Sequence, residues 1–352
     1  MPSLFVIIAA ITFAVPPVPP SVQPTAAAVV AANAPYRVLK TFELAGEGGW
    51  DLLEIDSAAH RLYVPRSTRV SVMDTDTGKL IGEVSDTAGV HDVAIASSIG
   101  KGFTTNGKSN DISVFDLKTL KVEKTISVGK SPDAIIVEPT TKRVFVFNAK
   151  SNNASVISTE DMKVVATIEL GGNPELTVVD GLGAVFVNLE NTSEIVKLNA
   201  KTMAVEQRIA LAPGEEPTGL AIDQANHLLF SACHNQKMVI VDTNSGKVIA
   251  TPVIGSGVDG AVFDSARKCA ITSNGEGTMT VVSTQGEPPF SVVQNLTTSK
   301  GARTMIMDNK THLIYLPAAD FELPAAGEKK GKWPKMKSGT FKILVVGSLP
   351  TV

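Results

Sequence analysis

The sequence predicts an all-β chain folded as a seven-bladed β-propeller of four-stranded antiparallel blades. One observation is the stretch Ser131–Gly172, which contains four short runs rich in Val, Ile or Phe, each bounded by turn-forming residues. A second observation is that this unit recurs along the chain at spacings of 41, 41, 42, 43, 41 and 44 residues. Seven copies of about forty residues with four strands each are typical of a propeller, in which each blade buries its faces against its neighbours.

The first 34 residues are interpreted as an export signal peptide. Leu4–Val15 is an apolar run of twelve residues, which is short for a membrane span, and Ala32-Asn33-Ala34 offers a small-residue cleavage site. No Lys or Arg stands near Met1, so a retained anchor or an unstructured tail is the alternative. The processed protein is therefore expected to be periplasmic or secreted, with no membrane span.

Residues 35–352 are predicted to form the propeller as a single domain. Arg37–Leu44 matches the fourth strand of a blade although it precedes the first blade, and Ser338–Gly347 matches a third strand with no fourth strand after it. We therefore expect the N-terminal strand to complete blade seven, which closes the ring and removes exposed sheet edges.

Blade seven also contains a long loop over residues 318–338, which includes Trp333 and five Lys residues. Loops of this length in compact domains are usually functional or unstructured. The alternatives for this loop are disorder or simple covering of an edge, and a lid over one mouth of the ring.

Charge and cysteine content exclude some classes of function. The chain has 32 basic and 35 acidic residues, and no basic stripe with interleaved aromatic residues is visible, so nucleic acid is not an expected partner. The two cysteines, Cys233 and Cys269, differ by five residues in their positions within the repeat, or about 16 Å along a strand, and are not expected to pair. We expect a monomer.

One motif match is discounted. Gly102–Ser109 fits the phosphate-binding P-loop pattern, but a P-loop must open a helix, and Asp111–Asp116 reads as another strand. The Gly-x-Ser-x-Gly, His-Glu-x-x-His and Cys-x-x-Cys patterns do not occur in the sequence.

The second run of several copies ends in a related tetrapeptide. The clearest are Tyr63–Arg66 (YVPR), Phe103–Asn106 (FTTN), Phe145–Asn148 (FVFN) and Ile271–Asn274 (ITSN). On these tetrapeptides, residues 36–347 resemble the YncE-like, YVTN-repeat family of exported seven-bladed propellers. The resemblance implies the fold and assigns no reaction. The Asn is shifted in blade four, at Asn188, and is missing from the fourth place in blades one, five and seven.

The first strand of every propeller blade lines the central channel, so the residues that open these strands form a ring at one mouth. These opening residues are Asp51, Asp92, Asp133, Glu175, Thr218, Asp259 and Arg303, and Trp50 and His91 directly precede two of them. Crowded carboxylates raise one another's pKa or bind a cation, and an arginine among them can pair with an acid or bind an anionic ligand.

We interpret this ring as a ligand-binding site. Its predicted members are Trp50, Asp51, His91, Asp92, Asp133, Glu175, Asp259 and Arg303. The expected function is an exported binding module that holds a small polar ligand or a divalent cation at the mouth, or docks a protein partner of the cell envelope on its rim. The alternative is that the acids only accept turn N–H groups or lie solvated around a wet channel.

The second hypothesis is an enzyme. Other seven-bladed propellers include lactonases and a lyase acting on cyclic esters, with His, Glu and Arg at the channel mouth. By this resemblance of fold, His91, Glu175 and Arg303 would be the base, the orienting acid and the carbonyl or carboxylate clamp. A structural role for His91 is the alternative. The enzyme hypothesis requires His91 to reach a carboxylate beside Arg303. It loses its support if Arg303 is tied to two acids and His91 is packed beneath Trp50.

Overall fold

The computed structural model describes residues 35–322 and 335–348, which form seven four-stranded antiparallel sheets in a ring. The predicted seven-bladed propeller is confirmed. The strands of blades one to three are β2 (Glu54–Asp56), β3 (Arg61–Pro65), β4 (Val70–Asp74), β5 (Leu80–Val84), β6 (Val90–Ala96), β7 (Lys101–Asn106), β8 (Asp111–Asp116), β9 (Val122–Ser127), β10 (Pro132–Glu138), β11 (Arg143–Asn148), β12 (Asn153–Ser158) and β13 (Lys163–Glu169).

Blades four to seven continue the same order, and the last blade takes its outer strand from the N-terminus. Their strands are β14 (Pro174–Val179), β15 (Ala184–Leu189), β16 (Glu194–Asn199), β17 (Ala204–Ala210), β18 (Pro217–Asp223), β19 (Leu228–Cys233), β20 (Lys237–Asp242), β21 (Lys247–Ala250), β22 (Val258–Asp264), β23 (Cys269–Asn274), β24 (Thr278–Ser283), β25 (Ser291–Thr297), β26 (Ile306–Asp308), β27 (Leu313–Ala318), β28 (Lys342–Gly347) and β1 (Arg37–Glu43).

Helical structure is limited to single turns in the part of the chain that the structure describes. Three 3₁₀ turns span Ser97–Ile99, Ala149–Ser151 and Glu190–Thr192. None of the described helices is long and apolar enough to cross a membrane. The discounted P-loop stretch lies on β7 and the turn after it, with no helix following it.

The ring closes through β1, as predicted. This strand pairs antiparallel with β28, from Arg37 opposite Gly347 to Glu43 opposite Lys342. The residue before β1 is fixed as well, because the Tyr36 hydroxyl donates to the buried Asp264 carboxylate of blade six at 2.6 Å. The start of the propeller is thereby held by two blades.

Hydrophobic side chains fill the spaces between neighbouring blades. One core cluster, for example, joins Phe145 and Phe147 of blade three to Val185 and Val187 of blade four, and all four side chains are fully buried. Burial of this kind contributes about 25 cal/mol per Å² of apolar surface, and no single blade could supply it alone. Cys233 and Cys269 are both free and buried, and they lie in different clusters.

Every outer strand carries one β-bulge, at the same place in the repeat. In each case one residue of the outer strand has no partner in the ladder with the third strand. The seven extra residues are Leu39, Ile81, Glu123, Val165, Glu206, Ile249 and Val293. Bulges twist an edge strand away from a straight ladder and so reduce edge-to-edge association.

The Asn that ends the second strand in blades two, three and six pins the hairpin to the third strand. Asn106 donates to Asp111 and Ser113, at 2.7 and 2.9 Å, and its own side-chain oxygen accepts from Thr104. Asn148 and Asn274 make the same pair of donor contacts in their blades. These buried amides explain why the tetrapeptide repeats at a fixed place.

The loop of blade seven is described at its two stems only. Phe321 pairs with Met336 in an isolated bridge, and the Glu322 N–H donates to the Lys335 carbonyl at 2.8 Å. Phe321 also lies 6.1 Å, centroid to centroid, from Trp50. The part that would decide between a cover and a lid, residues 323–334, lies outside the described residues.

Candidate functional site

A polar pocket of about 220 Å³ lies at one mouth of the central channel, and we call it the mouth pocket. Its lining residues are Asp51, Leu52, His91, Asp133, Glu175, Leu176, Glu190, Thr218, His234, Asp259 and Arg303. Five of the predicted opening residues with ionisable side chains, together with His91, therefore meet in one pocket, although they come from six blades.

Two positions of the repeat supply most of this lining. The first is the start of the inner strand, as predicted. The second is the residue directly after the second strand, which is Glu190 after β15 and His234 after β19. In blades two and six the same position is Gly107 and Gly275.

Hydrogen bonds between blades fix the backbone of the opening residues. The hydroxyl of Thr105 donates to the Asp133 carbonyl at 2.6 Å, and that of Thr304 donates to the Asp51 carbonyl at 3.0 Å. The His91 carbonyl accepts the Leu52 N–H at 3.0 Å. Because the carbonyl groups are held by the neighbouring blade, the side chains of Asp51, His91 and Asp133 remain for the pocket.

His91 lies between two carboxylates from the blades on either side of its own. Its Nδ1 is 2.7 Å from Asp51 Oδ2 and 3.3 Å from Asp133 Oδ1. One ligand atom from each of the three residues lies within 4.8 Å of the other two. The hydrogen bond to Asp51 is the main cause of a raised His91 pKa, followed on the same side by the charge of Asp133. The group can therefore hold a proton or a metal ion, both of which need this concentration of negative charge.

Gly107 leaves room for the His91 ring because it has no side chain. A Cβ at position 107 would lie 2.6 Å from His91 Nε2 and 2.7 Å from Cδ2. Any larger residue would push the imidazole ring toward the carboxylates or out of the pocket. The open space at Gly107 is what lets Nδ1 face Asp51 and Asp133.

On another part of the ring, Arg303 pairs with Asp259. Arg303 Nη1 lies 2.8 Å from Asp259 Oδ2, and the Ser273 hydroxyl donates to the Arg303 carbonyl. Burial raises the pKa of Asp259 to about 6, although the charge of Arg303 opposes that rise. The arginine therefore partly offsets the repulsion among the acids, and its guanidinium lines the pocket.

Glu175 is the most strongly perturbed acid of the pocket. Burial, and then the charges of Asp133 and Asp259, raise its pKa to about 9. Asn173 lies 3.4 Å from Glu175 Oε1 and donates to Glu190 at 2.8 Å. Burial and the charge of Asp51 raise the pKa of Asp133 to about 7. At neutral pH the pocket therefore contains at least one protonated carboxyl group.

Asp92 does not line the mouth pocket, although it was predicted as part of it. One of its carboxylate oxygens accepts the Val93 N–H at 2.7 Å and the other accepts the Ile135 N–H of the next blade at 2.9 Å. It lies deeper, in the wall of the central channel. Burial raises its pKa to about 8.

Trp50 also lies outside the lining of the mouth pocket. Its ring packs on Phe341 at 5.3 Å and on Phe321 at 6.1 Å, which joins it to the core between blades one and seven. His91 contacts Asp51 and Asp133, whereas Arg303 pairs with Asp259, so His91 and Arg303 contact different carboxylates.

Two residues of the pocket were missed from the sequence. Glu190 and His234 were not among the predicted members of the ring. The sequence places both residues directly after the second strand, but their direction toward the axis comes from the structure alone. His234 Nδ1 lies 3.6 Å from Glu216 Oε2, at the rim of the pocket.

Comparison with known proteins supports the architecture and does not assign a function. No family model matches the chain, and no curated protein matches its sequence. Among solved structures, the chain is similar to hydrazine synthase of Kuenenia stuttgartiensis, with a TM-score of 0.67 over 78% of this chain and 94% of that chain. The two sequences are 16% identical over the match, so the likeness shows a shared fold.

Proposed function

We propose that this protein is an exported binding module whose mouth pocket binds a divalent cation and, beside it, a small polar ligand. The observation that carries this proposal is the group of Asp51, His91 and Asp133, whose ligand atoms lie within 4.8 Å of one another. Five acids and one arginine line the pocket, so its charge also favours a cation.

The donor set narrows the choice of ion. Two carboxylates and one imidazole suit Zn²⁺ or Mn²⁺, whereas Ca²⁺ and Mg²⁺ prefer sites made of oxygen ligands alone. Ligand atoms of one tetrahedral zinc lie about 3.3 Å apart. His91 Nδ1 and Asp133 Oδ1 are already 3.3 Å apart. The distance from His91 Nδ1 to Asp51 Oδ2 is 2.7 Å and would have to increase when the ion binds. Three protein ligands leave a coordination position for a small ligand, and Arg303 lines the same pocket.

Isothermal titration calorimetry of residues 35–352 with ZnCl₂, MnCl₂ and CaCl₂ tests the proposal. We expect one equivalent of Zn²⁺ or Mn²⁺ to bind, and Asp51→Asn to weaken that affinity at least tenfold. Gly107→Ala should weaken it as well, because the new Cβ meets His91. The matched control is Asp76→Asn, which removes the carboxylate from an exposed His60–Asp76 pair. Absence of binding, or equal binding by Asp51→Asn, would contradict the proposal.

A second candidate function, a lactonase- or lyase-like enzyme, is favoured by Glu175. A carboxyl group with a pKa of about 9 holds a proton at neutral pH and can act as a general acid. It lines the same pocket as His91 and Arg303. If this candidate is correct, a panel of small lactones will include a substrate whose turnover is lost in Glu175→Gln and kept in the exposed control Glu287→Gln. No turnover in the wild-type protein would leave the binding module as the function.

We also propose that the chain is a member of the YncE-like, YVTN-repeat family. The buried amides of Asn106, Asn148 and Asn274 support this, because they give the repeated tetrapeptide a common structural role. Export to the periplasm or the exterior follows from the leader-like residues 1–34, which lie outside the described residues.

A further inference from the structure

A second cavity, of about 440 Å³, lies along the axis of the propeller below the mouth pocket, and we call it the channel. It shares Leu52 and Leu176 with the mouth pocket and extends past Ser57 and Asn309. Leu52 and Ser57 lie on either side of β2, so the channel runs along the length of this inner strand. Most of its walls are Leu, Ile, Val and Ala side chains. An elongated, mainly apolar cavity of this size suits a small organic molecule.

Glu54 interrupts a ring of apolar residues in this channel. It pairs with Tyr63 of the second strand, and the residues that pair with the equivalent position in the other blades are all Ile, Val or Ala. They are Ala94, Ile136, Val178, Ala221, Val262 and Ile306. A carboxyl group at a position that six blades fill with hydrocarbon has no role in packing.

The structure gives Glu54 little compensation for its desolvation. Its carboxylate accepts a hydrogen bond from the Ile55 backbone, and the nearby charge of Asp92 adds repulsion. Within residues 35–322 and 335–348, no ion pair to Glu54 is formed, and no Lys, Arg or His lines the channel. Without a partner, burial raises the pKa of Glu54 well above its usual range, so the group holds a proton when no cation is bound. A cation that reaches Glu54 can replace that proton and pair with the carboxylate.

We propose that the channel binds a primary alkylammonium ion, with the ammonium group on Glu54 and the aliphatic chain along the apolar walls. The ammonium group has three donors, and Asp92 keeps acceptor capacity beyond its two backbone hydrogen bonds. A metal ion fits less well, because Glu54 and Asp92 are the only acids of the channel lining and no histidine joins them. A carboxylate ligand would meet two acids and no base.

This inference goes beyond the cation site of the mouth pocket and does not depend on it. Asp51, His91 and Asp133 do not line the channel, and Glu54 does not line the mouth pocket. Zinc titration and amine titration of the same samples can therefore fail separately, and each result identifies which of the two proposals is wrong.

Calorimetric titration of residues 35–352 with n-hexylammonium chloride tests the proposal, with sodium hexanoate and hexan-1-ol as probes of equal chain length. We expect saturable binding of hexylammonium, and binding at least tenfold weaker for both other probes. Glu54→Gln should weaken hexylammonium binding at least tenfold and leave zinc binding unchanged. Glu287→Gln, an exposed Glu of blade six, is the matched control.

A second variant guards against a fold defect in Glu54→Gln. Ile136→Phe keeps Glu54 and fills the channel at the same level, so it should also abolish hexylammonium binding while zinc binding persists. The proposal is overturned if hexylammonium does not bind, if hexanoate or hexan-1-ol binds as tightly, or if either variant binds hexylammonium like the wild-type protein.

Discussion

At the scale of single residues, the backbone of Asp51 and Asp133 joins neighbouring blades and their side chains line the pocket. Their carbonyl groups accept hydrogen bonds from Thr hydroxyl groups of the preceding blade, which fixes the ring. Their carboxylates contact His91, whose blade lies between theirs. Asp92 shows the other outcome, because its side chain is itself used to bind the Ile135 N–H of the next blade. Asp92 lies one residue further along its strand than Asp133 does, because Val90 and Pro132 pair with the equivalent Asn106 and Asn148, and His91 takes the opening position in blade two.

Glu175 predicts the pH dependence of stability in the metal-free protein. Its folded pKa of about 9 lies above the unfolded value of about 4.3, so the folded state holds an extra proton between these values. Stability from this group is present in full below about pH 4.3 and is lost as the pH rises toward 9. We expect the Tm in EDTA to fall from pH 5 to pH 9, and to fall less in Glu175→Gln than in Glu287→Gln. Differential scanning calorimetry measures the Tm at each pH. An equal fall in Tm with pH for the two variants would refute the assignment.

Asn148 predicts a stabilising substitution. Its buried side-chain oxygen has no hydrogen-bond partner among the residues that the structure describes, whereas those of Asn106 and Asn274 accept from a Thr two residues earlier. Blade three has Val146 at that place. Val146→Thr should supply the missing donor and raise the free energy of unfolding by about 0.5–1 kcal/mol. Urea unfolding measures the change, and Val144→Thr, which buries a hydroxyl group two residues away from this place, should destabilise. Destabilisation of similar size by both variants would argue against the pattern.

At the scale of elements, the residue that ends the second strand contacts different partners in different blades. Blade one has Arg66 where blades two, three and six have Asn. The fully buried Arg66 side chain donates to the Gly46 and Gly48 carbonyls at 2.8 and 3.1 Å, and it stacks 3.8 Å from the centroid of the Phe341 ring. It thereby holds the segment that follows β1 against blade seven. Burial lowers the pKa of Arg66 to about 10, which is still far enough above 7 for the guanidinium to be charged at neutral pH.

Arg66→Met is therefore expected to lower the free energy of unfolding by about 3 kcal/mol, since it leaves two glycine carbonyls without their donor. Lys197→Met provides the control. Lys197 pairs with the exposed Glu206 at 3.3 Å in blade four, and the loss of such a surface pair costs about 1 kcal/mol or less. Urea unfolding compares the two variants, and a loss no larger for Arg66→Met than for Lys197→Met would contradict a role in ring closure.

At the scale of the whole molecule, the ring depends on β1. Deletion of residues 35–44 removes the partner of β28 and exposes a straight strand edge in a protein whose outer edges otherwise carry a bulge. We expect the truncated chain to lose about 10 °C or more in Tm and to self-associate in size-exclusion chromatography. Addition of a peptide of residues 35–46 should restore the monomer. A truncated chain that stays monomeric with an unchanged Tm would show that closure does not need this strand.

The fold could be predicted from the sequence because the repeat is local, whereas the site depends on contacts between blades. The spacing of Asp51, Asp133, Glu175 and Arg303 was enough to bring them to one mouth. Asp92 has the same spacing in the sequence, but strand pairing in the structure puts His91 at the position of Asp133 and leaves Asp92 one residue deeper, where it binds Ile135 of the next blade. His234 was missed because the residue after the second strand turns toward the axis, a direction that strand periodicity does not give.

The central claim is that Asp51, His91 and Asp133 form a divalent-cation site, and anomalous diffraction from crystals grown with zinc tests it most directly. The account predicts a peak at the zinc absorption edge about 2.0–2.2 Å from His91 Nδ1 and from one carboxylate oxygen each of Asp51 and Asp133. The peak should be absent from crystals of His91→Gln. Zinc found only at surface sites such as His60 and Asp76, or a peak that persists in His91→Gln, would contradict it.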